Sequence, residues 1–114
     1  MEIIPLPPVR ILVVDDDESV REVITGLLCE EGYHCTAASV AEMALEYALQ
    51  DEPPLIISDM KMPGKDGLWL LDCLRERHPD TAVIMLTGYG DTQAAVDCLR
   101  RGAVDYLLKP PKLK

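Results

Sequence analysis

The sequence predicts an α/β domain built as a doubly wound, five-stranded parallel sheet, and three observations predict it. Five short runs rich in Val, Ile and Leu recur along 114 residues. The segments between them carry apolar residues at helical spacing and are bounded by capping and turn residues. Strands this uniformly apolar, alternating with helices, belong to a parallel sheet covered on both faces.

The elements follow in order. Val9 to Val14, "VRILVV", is the first strand. Val20, Ile24, Leu27, Leu28 and Glu31 then recur at helical spacing, and Gly32 is the expected C-cap. Tyr33 to Ala37 is a second strand, only partly apolar. Ser39 with Glu42 three residues on has the form of a capping box for a helix through Gln50, ended by Pro53 and Pro54. Leu55 to Ser58, "LIIS", is the third strand, and "MPGKDG" is a turn-rich loop before a helix face of Leu68, Leu71 and Leu74. His78, Pro79 and Asp80 interrupt that helix ahead of the fourth strand, Ala82 to Leu86. Gly88 and Gly90 loosen the next turn, and Asp91 is the expected N-cap of a helix carrying Ala95, Val96 and Leu99. Gly102 closes it before the fifth strand, Ala103 to Leu108.

Composition narrows the function. Twenty acidic against eleven basic residues give a net charge of -9, which opposes binding to a polyanion and argues against a nucleic-acid surface in this domain. Cys29, Cys35, Cys73 and Cys98 form no CxxC pair, and neither His34 nor His78 is spaced to complete a zinc site with them. No signal peptide or membrane span is legible, so the reading is a reduced, cytoplasmic chain with no membrane partner. Residues 1–8, with Pro5, Pro7 and Pro8, read as an irregular lead-in.

The polar residues fall at strand ends. Asp15, Asp16 and Asp17 follow strand one, Asp59 strand three, Thr87 strand four and Lys109 strand five. These are carboxyl ends, where open α/β sheets bind ligands, and in the strand order 2-1-3-4-5 strands one and three are neighbours, so Asp15, Asp16 and Asp59 can meet. Carboxylates gathered in one crevice repel unless a cation compensates them. Oxygen ligands suit Mg²⁺, which keeps waters while contacting a phosphate. A carboxylate such as Asp59 can itself accept a phosphoryl group, with Thr87 and Lys109 engaging its oxygens. There is no GxxxxGK[ST] or GxGxxG loop to anchor a nucleotide. Singly, each residue has an ordinary role: "DDDE" as a solvated helix start, "KP" as a turn, Thr87 as a strand end. Together, four strand ends converge with complementary chemistry.

In "ILVVDDDESVR", "SDMKMPGKDG", "MLTGYGD" and "RGAVDYLLKP", and in their order, the sequence resembles the receiver domain of two-component response regulators, nearest to those of transcriptional regulators. The resemblance runs from Val9 to Pro110 and implies a flavodoxin-like fold. It makes Asp59 the phosphoacceptor and Asp15 with Asp16 the acidic pair. It places Mg²⁺, or alternatively Mn²⁺, on Asp16, Asp59 and the backbone carbonyl of Lys61, with Asp15 acting through water. Lys109 would contact the phosphoryl group, Thr87 would be the switch hydroxyl and Tyr106 the aromatic switch. By its position alone, two residues after Thr87, Tyr89 is either an exposed loop aromatic or a residue that shapes access to the site.

The donor implied is a phosphohistidine on a sensor histidine kinase or histidine phosphotransfer protein. An output domain is expected in the full-length protein, and a homodimer through the region after strands four and five. Such a domain modifies itself rather than turning over an external substrate. Two alternatives stay open: an interaction domain that is no longer phosphorylated, and a Mg²⁺-dependent phosphohydrolase. Family members continue past Lys-Pro into a fifth helix, whereas "KPPKLK" stops at residue 114. The expectation is a receiver domain over 9–110 with a stub over 111–114 at a truncation point, or a short form that self-associates.

Overall fold

The computed structural model describes residues 7–88 and 91–109. In chain order the elements are β1 (Arg10–Val14), α1 (Glu18–Glu30), β2 (His34–Ala38), α2 (Ala41–Asp51), β3 (Leu55–Asp59), α3 (Gly67–Arg77), β4 (Ala82–Thr87), α4 (Thr92–Arg100) and β5 (Asp105–Leu108). The strands form one parallel sheet in the order β2-β1-β3-β4-β5, as the alternation of apolar runs and helical segments predicts. Among the described residues there are four helices. Most of the 1–8 lead-in, the boundary at Pro110 and the 111–114 stub lie outside the described residues.

The strands nearest the centre carry the most apolar runs. Ile11, Leu12, Val13 and Val14 of β1 are all buried, whereas every residue of the edge strand β5 is exposed. Alternate residues divide the core between two faces. Leu12, Val14, Ile56, Val83 and Met85 pack with Leu70, Leu71, Leu74 and the alanines of α2. Ile11, Val13, Ile57 and Leu86 form a smaller cluster, packed against Ile24 and Leu28 of α1.

Three strands begin later than periodicity suggests: β1 starts at Arg10 rather than Val9, and β2 and β5 are delayed for one shared reason. Gly32 and Gly102 adopt positive φ, +93° and +108°, and close Schellman turns at the ends of α1 and α4. In these turns the amides of Tyr33 and Ala103 donate to the carbonyls of Leu28 and Cys98. Those amides are spent on helix ends, so β2 starts at His34 rather than Tyr33, and β5 at Asp105 rather than Ala103.

The capping box expected from Ser39 and Glu42 is corrected. Val40 is the N-cap of α2 and makes no side-chain capping hydrogen bond. The helix phase is set by burying Ala41, Ala44 and Ala48, which outweighs a surface cap. No described helix is long and apolar enough to cross a membrane.

Candidate functional site

The site is built at the carboxyl edge of the sheet from the ends of β1, β3, β4 and β5. Asp15 follows β1 directly and is fully buried. Its backbone amide donates to Ala38 across the end of β2, and its Oδ1 accepts the Asp17 amide at 2.9 Å. Its Oδ2 has no hydrogen-bond partner among the described residues, although the Lys109 ammonium lies 3.3 Å away. Burial pushes the Asp15 carboxyl above its ordinary range against these favourable contacts.

The acidic run divides by geometry. Asp16 is exposed yet offers an oxygen to the same crevice: ligand atoms of Asp15, Asp16 and Asp59 all lie within 4.8 Å of one another. Asp17 caps α1 by accepting the Ser19 amide at 2.9 Å, and the Ser19 side chain, followed by that amide, holds its carboxyl below the usual range. Glu18 begins the first turn of that helix.

Asp59 ends β3, between β1 and β4, and is 3% exposed. Its Oδ2 accepts from Lys109 Nζ at 2.9 Å, and its Oδ1 accepts the Lys61 amide at 3.3 Å. Burial raises its pKa to about 6; the Lys109 hydrogen bond opposes the rise and the neighbouring Asp15 charge adds to it. Burial alone would lower the Lys109 pKa, but its two carboxylate partners outweigh that and raise it.

The backbone around Asp59 is held from both sides. The Met60 amide donates to Leu86, and the Gly67 amide donates to Met60. A Cβ on Gly67 would collide with the Asp59 carbonyl oxygen and stand 3.0 Å from the Met60 Cα. Gly67 is therefore a positioning residue that sequence reasoning missed. Its only signal was a place in a turn-rich loop, because the approach to Asp59 exists only once the loop folds back.

Thr87 ends β4 and is buried, and its carbonyl accepts the Lys109 amide at 2.8 Å, which fixes where the lysine leaves β5. Tyr106 lies on β5 opposite Met85 and is 37% exposed, at the surface rather than in the crevice. Lys61 sends its side chain away from Asp59, to Asp91 at 3.1 Å. Tyr89 lies outside the described residues.

Three carboxylates facing one ammonium leave the crevice with an excess of negative charge, and the buried Asp15 Oδ2 is met by the Lys109 charge at 3.3 Å but by no hydrogen bond from the described residues. That donor set suits a divalent cation bound through oxygen. The cluster of Asp15, Asp16 and Asp59 is capable of coordinating one.

Residues 11–114 match the model of the response regulator receiver domain. The chain is 41% identical over 101 residues to the response regulator protein FleR of Pseudomonas aeruginosa, covering 89% of this chain and 21% of that protein. It is 43% identical over 98 residues to the DNA-binding transcriptional regulator NtrC of Escherichia coli, covering 86% of this chain and 21% of that protein. The crystal structure of the receiver domain of NtrX from Brucella abortus superposes with a TM-score of 0.85 at 39% identity, covering 90% of this chain and 87% of that one. The chain thus spans about a fifth of the length of the curated relatives it matches.

Proposed function

The chain belongs to the response regulator receiver domains, signalling modules that modify themselves rather than turn over external substrates, and from that premise we propose that Asp59 is its phosphoacceptor. The observation that carries this is the setting of the Asp59 carboxylate. It is buried at the carboxyl end of β3, 2.9 Å from the Lys109 ammonium and grouped with two more carboxylates.

The donor is a phosphohistidine of a sensor histidine kinase or histidine phosphotransfer protein. An Asp59 oxygen attacks phosphorus, the N–P bond breaks, and its electron pair returns to the imidazole, which leaves as the acyl phosphate forms. Lys109 meets the charge that develops on the phosphoryl oxygens, and the Thr87 hydroxyl engages the product. Water later hydrolyses the acyl phosphate and restores the carboxylate.

The donor set fits Mg²⁺, with Mn²⁺ as the alternative, because the buried Asp15 Oδ2 otherwise lacks a hydrogen-bond partner among the described residues. Asp16, Asp59 and the Lys61 carbonyl would hold the ion directly, and Asp15 through water. Bound there, it supplies positive charge opposite the phosphoryl oxygens.

The output is a switch. A carboxylate becomes a group with about two negative charges and three acceptor oxygens, which recruits Thr87 and biases the region after β4 and β5, with Tyr106 following. Val96, Leu99, Val104 and Tyr106 leave an apolar strip exposed there, which supports pairing of two copies through this face. The relatives described as transcriptional regulators support an output domain beyond this piece that acts on transcription.

The test is intact mass after incubation with acetyl phosphate and Mg²⁺, with molecular size measured in parallel. Wild type gains one phosphoryl mass and Asp59→Asn gains none. Equal gain in both overturns the assignment of Asp59, and release of phosphate over many turnovers would favour a phosphohydrolase.

A further inference from the structure

Three aspartates occupy helix N-cap positions, and one of them does not cap. Asp17 accepts the Ser19 amide at the head of α1, and Asp66 accepts the Trp69 amide at the head of α3, both at 2.9 Å. Asp91 stands at the head of α4 but makes no side-chain capping hydrogen bond, and its backbone, at φ -95° and ψ 39°, departs from the extended conformation that Asp17 and Asp66 share. Its Oδ1 lies 3.1 Å from Lys61 Nζ instead. The amides of Gln93 and Ala94, which an N-cap side chain serves, are left without that acceptor.

Lys61 touches both ends of a connection. Its backbone amide donates to Asp59 Oδ1, and its ammonium holds the carboxylate at the head of α4, thirty residues on in sequence. The ion pair is a surface one, with the Lys61 side chain 72% exposed and that of Asp91 26%. Exposed ion pairs and helix caps are interactions of similar, small strength. Moving the Asp91 carboxylate from Lys61 to the helix therefore exchanges two interactions of similar strength, and it also requires the Asp91 backbone to turn from ψ 39° toward the extended conformation of the other two caps.

We propose that Lys61 is a latch that withholds Asp91 from α4, and that negative charge placed on Asp59 draws the Lys61 ammonium back and releases Asp91 to cap the helix. The release step rests on Asp59 being the phosphoacceptor. The latch itself concerns the unmodified chain. Release changes hydrogen bonding at the first turn of α4, next to the face carrying Val96 and Leu99, and so connects the crevice to that face without any contact between them.

Amide hydrogen exchange of Gln93 and Ala94, read by NMR, tests both steps. In the unmodified state Lys61→Met should slow exchange at these two amides about fivefold. Asp91→Ala should not slow it, and neither should the double variant, because the carboxylate that would cap is gone. Unchanged exchange in Lys61→Met overturns the latch, as does slowing that persists in the double variant. Wild type treated with acetyl phosphate and Mg²⁺ should show the same slowing relative to wild type in Mg²⁺ alone, absent in Asp91→Ala. A chain that carries one phosphoryl mass yet shows no slowing overturns the release step alone. A wild type that takes up no phosphoryl group overturns the reading of Asp59, and the release step with it, while the comparison of unmodified variants still decides the latch.

Discussion

Ionised Asp59 costs the fold stability, and the sign follows from its raised pKa. A carboxyl that titrates near 3.8 unfolded and about 6 folded binds more protons in the native state between those values. Stability therefore falls as pH rises through that window, by up to about 3 kcal/mol, and the cost is fully present above it. Asp59→Asn removes the charge and leaves Lys109 its second partner, Asp15, at 3.3 Å. In chelator, urea unfolding should show the variant more stable than wild type by about 1–3 kcal/mol at pH 7.5, a gap that closes toward pH 4. A gap independent of pH would show that packing, not ionisation, sets it. Gly67 makes the opposite case. Its missing Cβ faces the Asp59 and Met60 backbone, which cannot swing aside as a flexible side chain would. Gly67→Ala should lose about 1–3 kcal/mol in urea unfolding and slow phosphoryl uptake, because the strain falls on the acceptor's own backbone. The two residues also mark what can be read from a chain. Asp15, Asp59, Thr87 and Lys109 were legible because each stands at the carboxyl end of a strand that periodicity locates: Asp15 and Lys109 directly follow β1 and β5, whereas Asp59 and Thr87 are the last residues of β3 and β4, one residue beyond the expected ends. Gly67 and the Lys61–Asp91 pair were not, because they matter only through contacts that folding creates.

Helix ends follow different rules from helix faces. The apolar spacing that located α1 and the glycine that ends it were legible, since both are local properties of the chain. The start of α2 was not. A surface cap contributes about 1 kcal/mol, less than the gain from seating Ala41, Ala44 and Ala48 against the sheet, so burial moved the helix start past Ser39 and left Val40 at the N-cap. That position, 43% exposed and without a capping bond, can be improved. Val40→Asp should raise stability by about 1 kcal/mol by capping the free amides and complementing the helix dipole. Gly26, exposed within α1, has nothing within 4 Å of where a Cβ would stand. Gly26→Ala should add about 0.5–1 kcal/mol through helix propensity alone. Urea midpoints at unchanged m-value check both, and a loss in either would mean that the helix end, not the core, sets its register.

The two faces of the sheet are covered unequally, and the molecule's behaviour in solution should follow from that. One face lies under α2, α3 and α4, where Leu70, Leu71 and Leu74 are fully buried. Among the described helices the other packs against α1 alone. A groove beside that helix is lined by Ile24, Leu27, Leu28, Ile57, Leu107 and Leu108. Leu27 and Leu108 are 59% and 52% exposed, so they add little to the stability of this chain by itself. Leu71→Ala should therefore cost about 2–5 kcal/mol, while Leu27→Gln with Leu108→Gln should change stability by no more than about 1 kcal/mol. The exposed pair should instead govern association. Apolar attraction between copies acts against the repulsion of a net charge of -9 on each, and salt screens that repulsion without weakening the attraction. Sedimentation at rising protein concentration should show self-association that strengthens from about 50 mM to about 500 mM salt and is lost in the double variant. Association that instead weakens with salt would have to come from ion pairs elsewhere, and the groove would then be inert in solution.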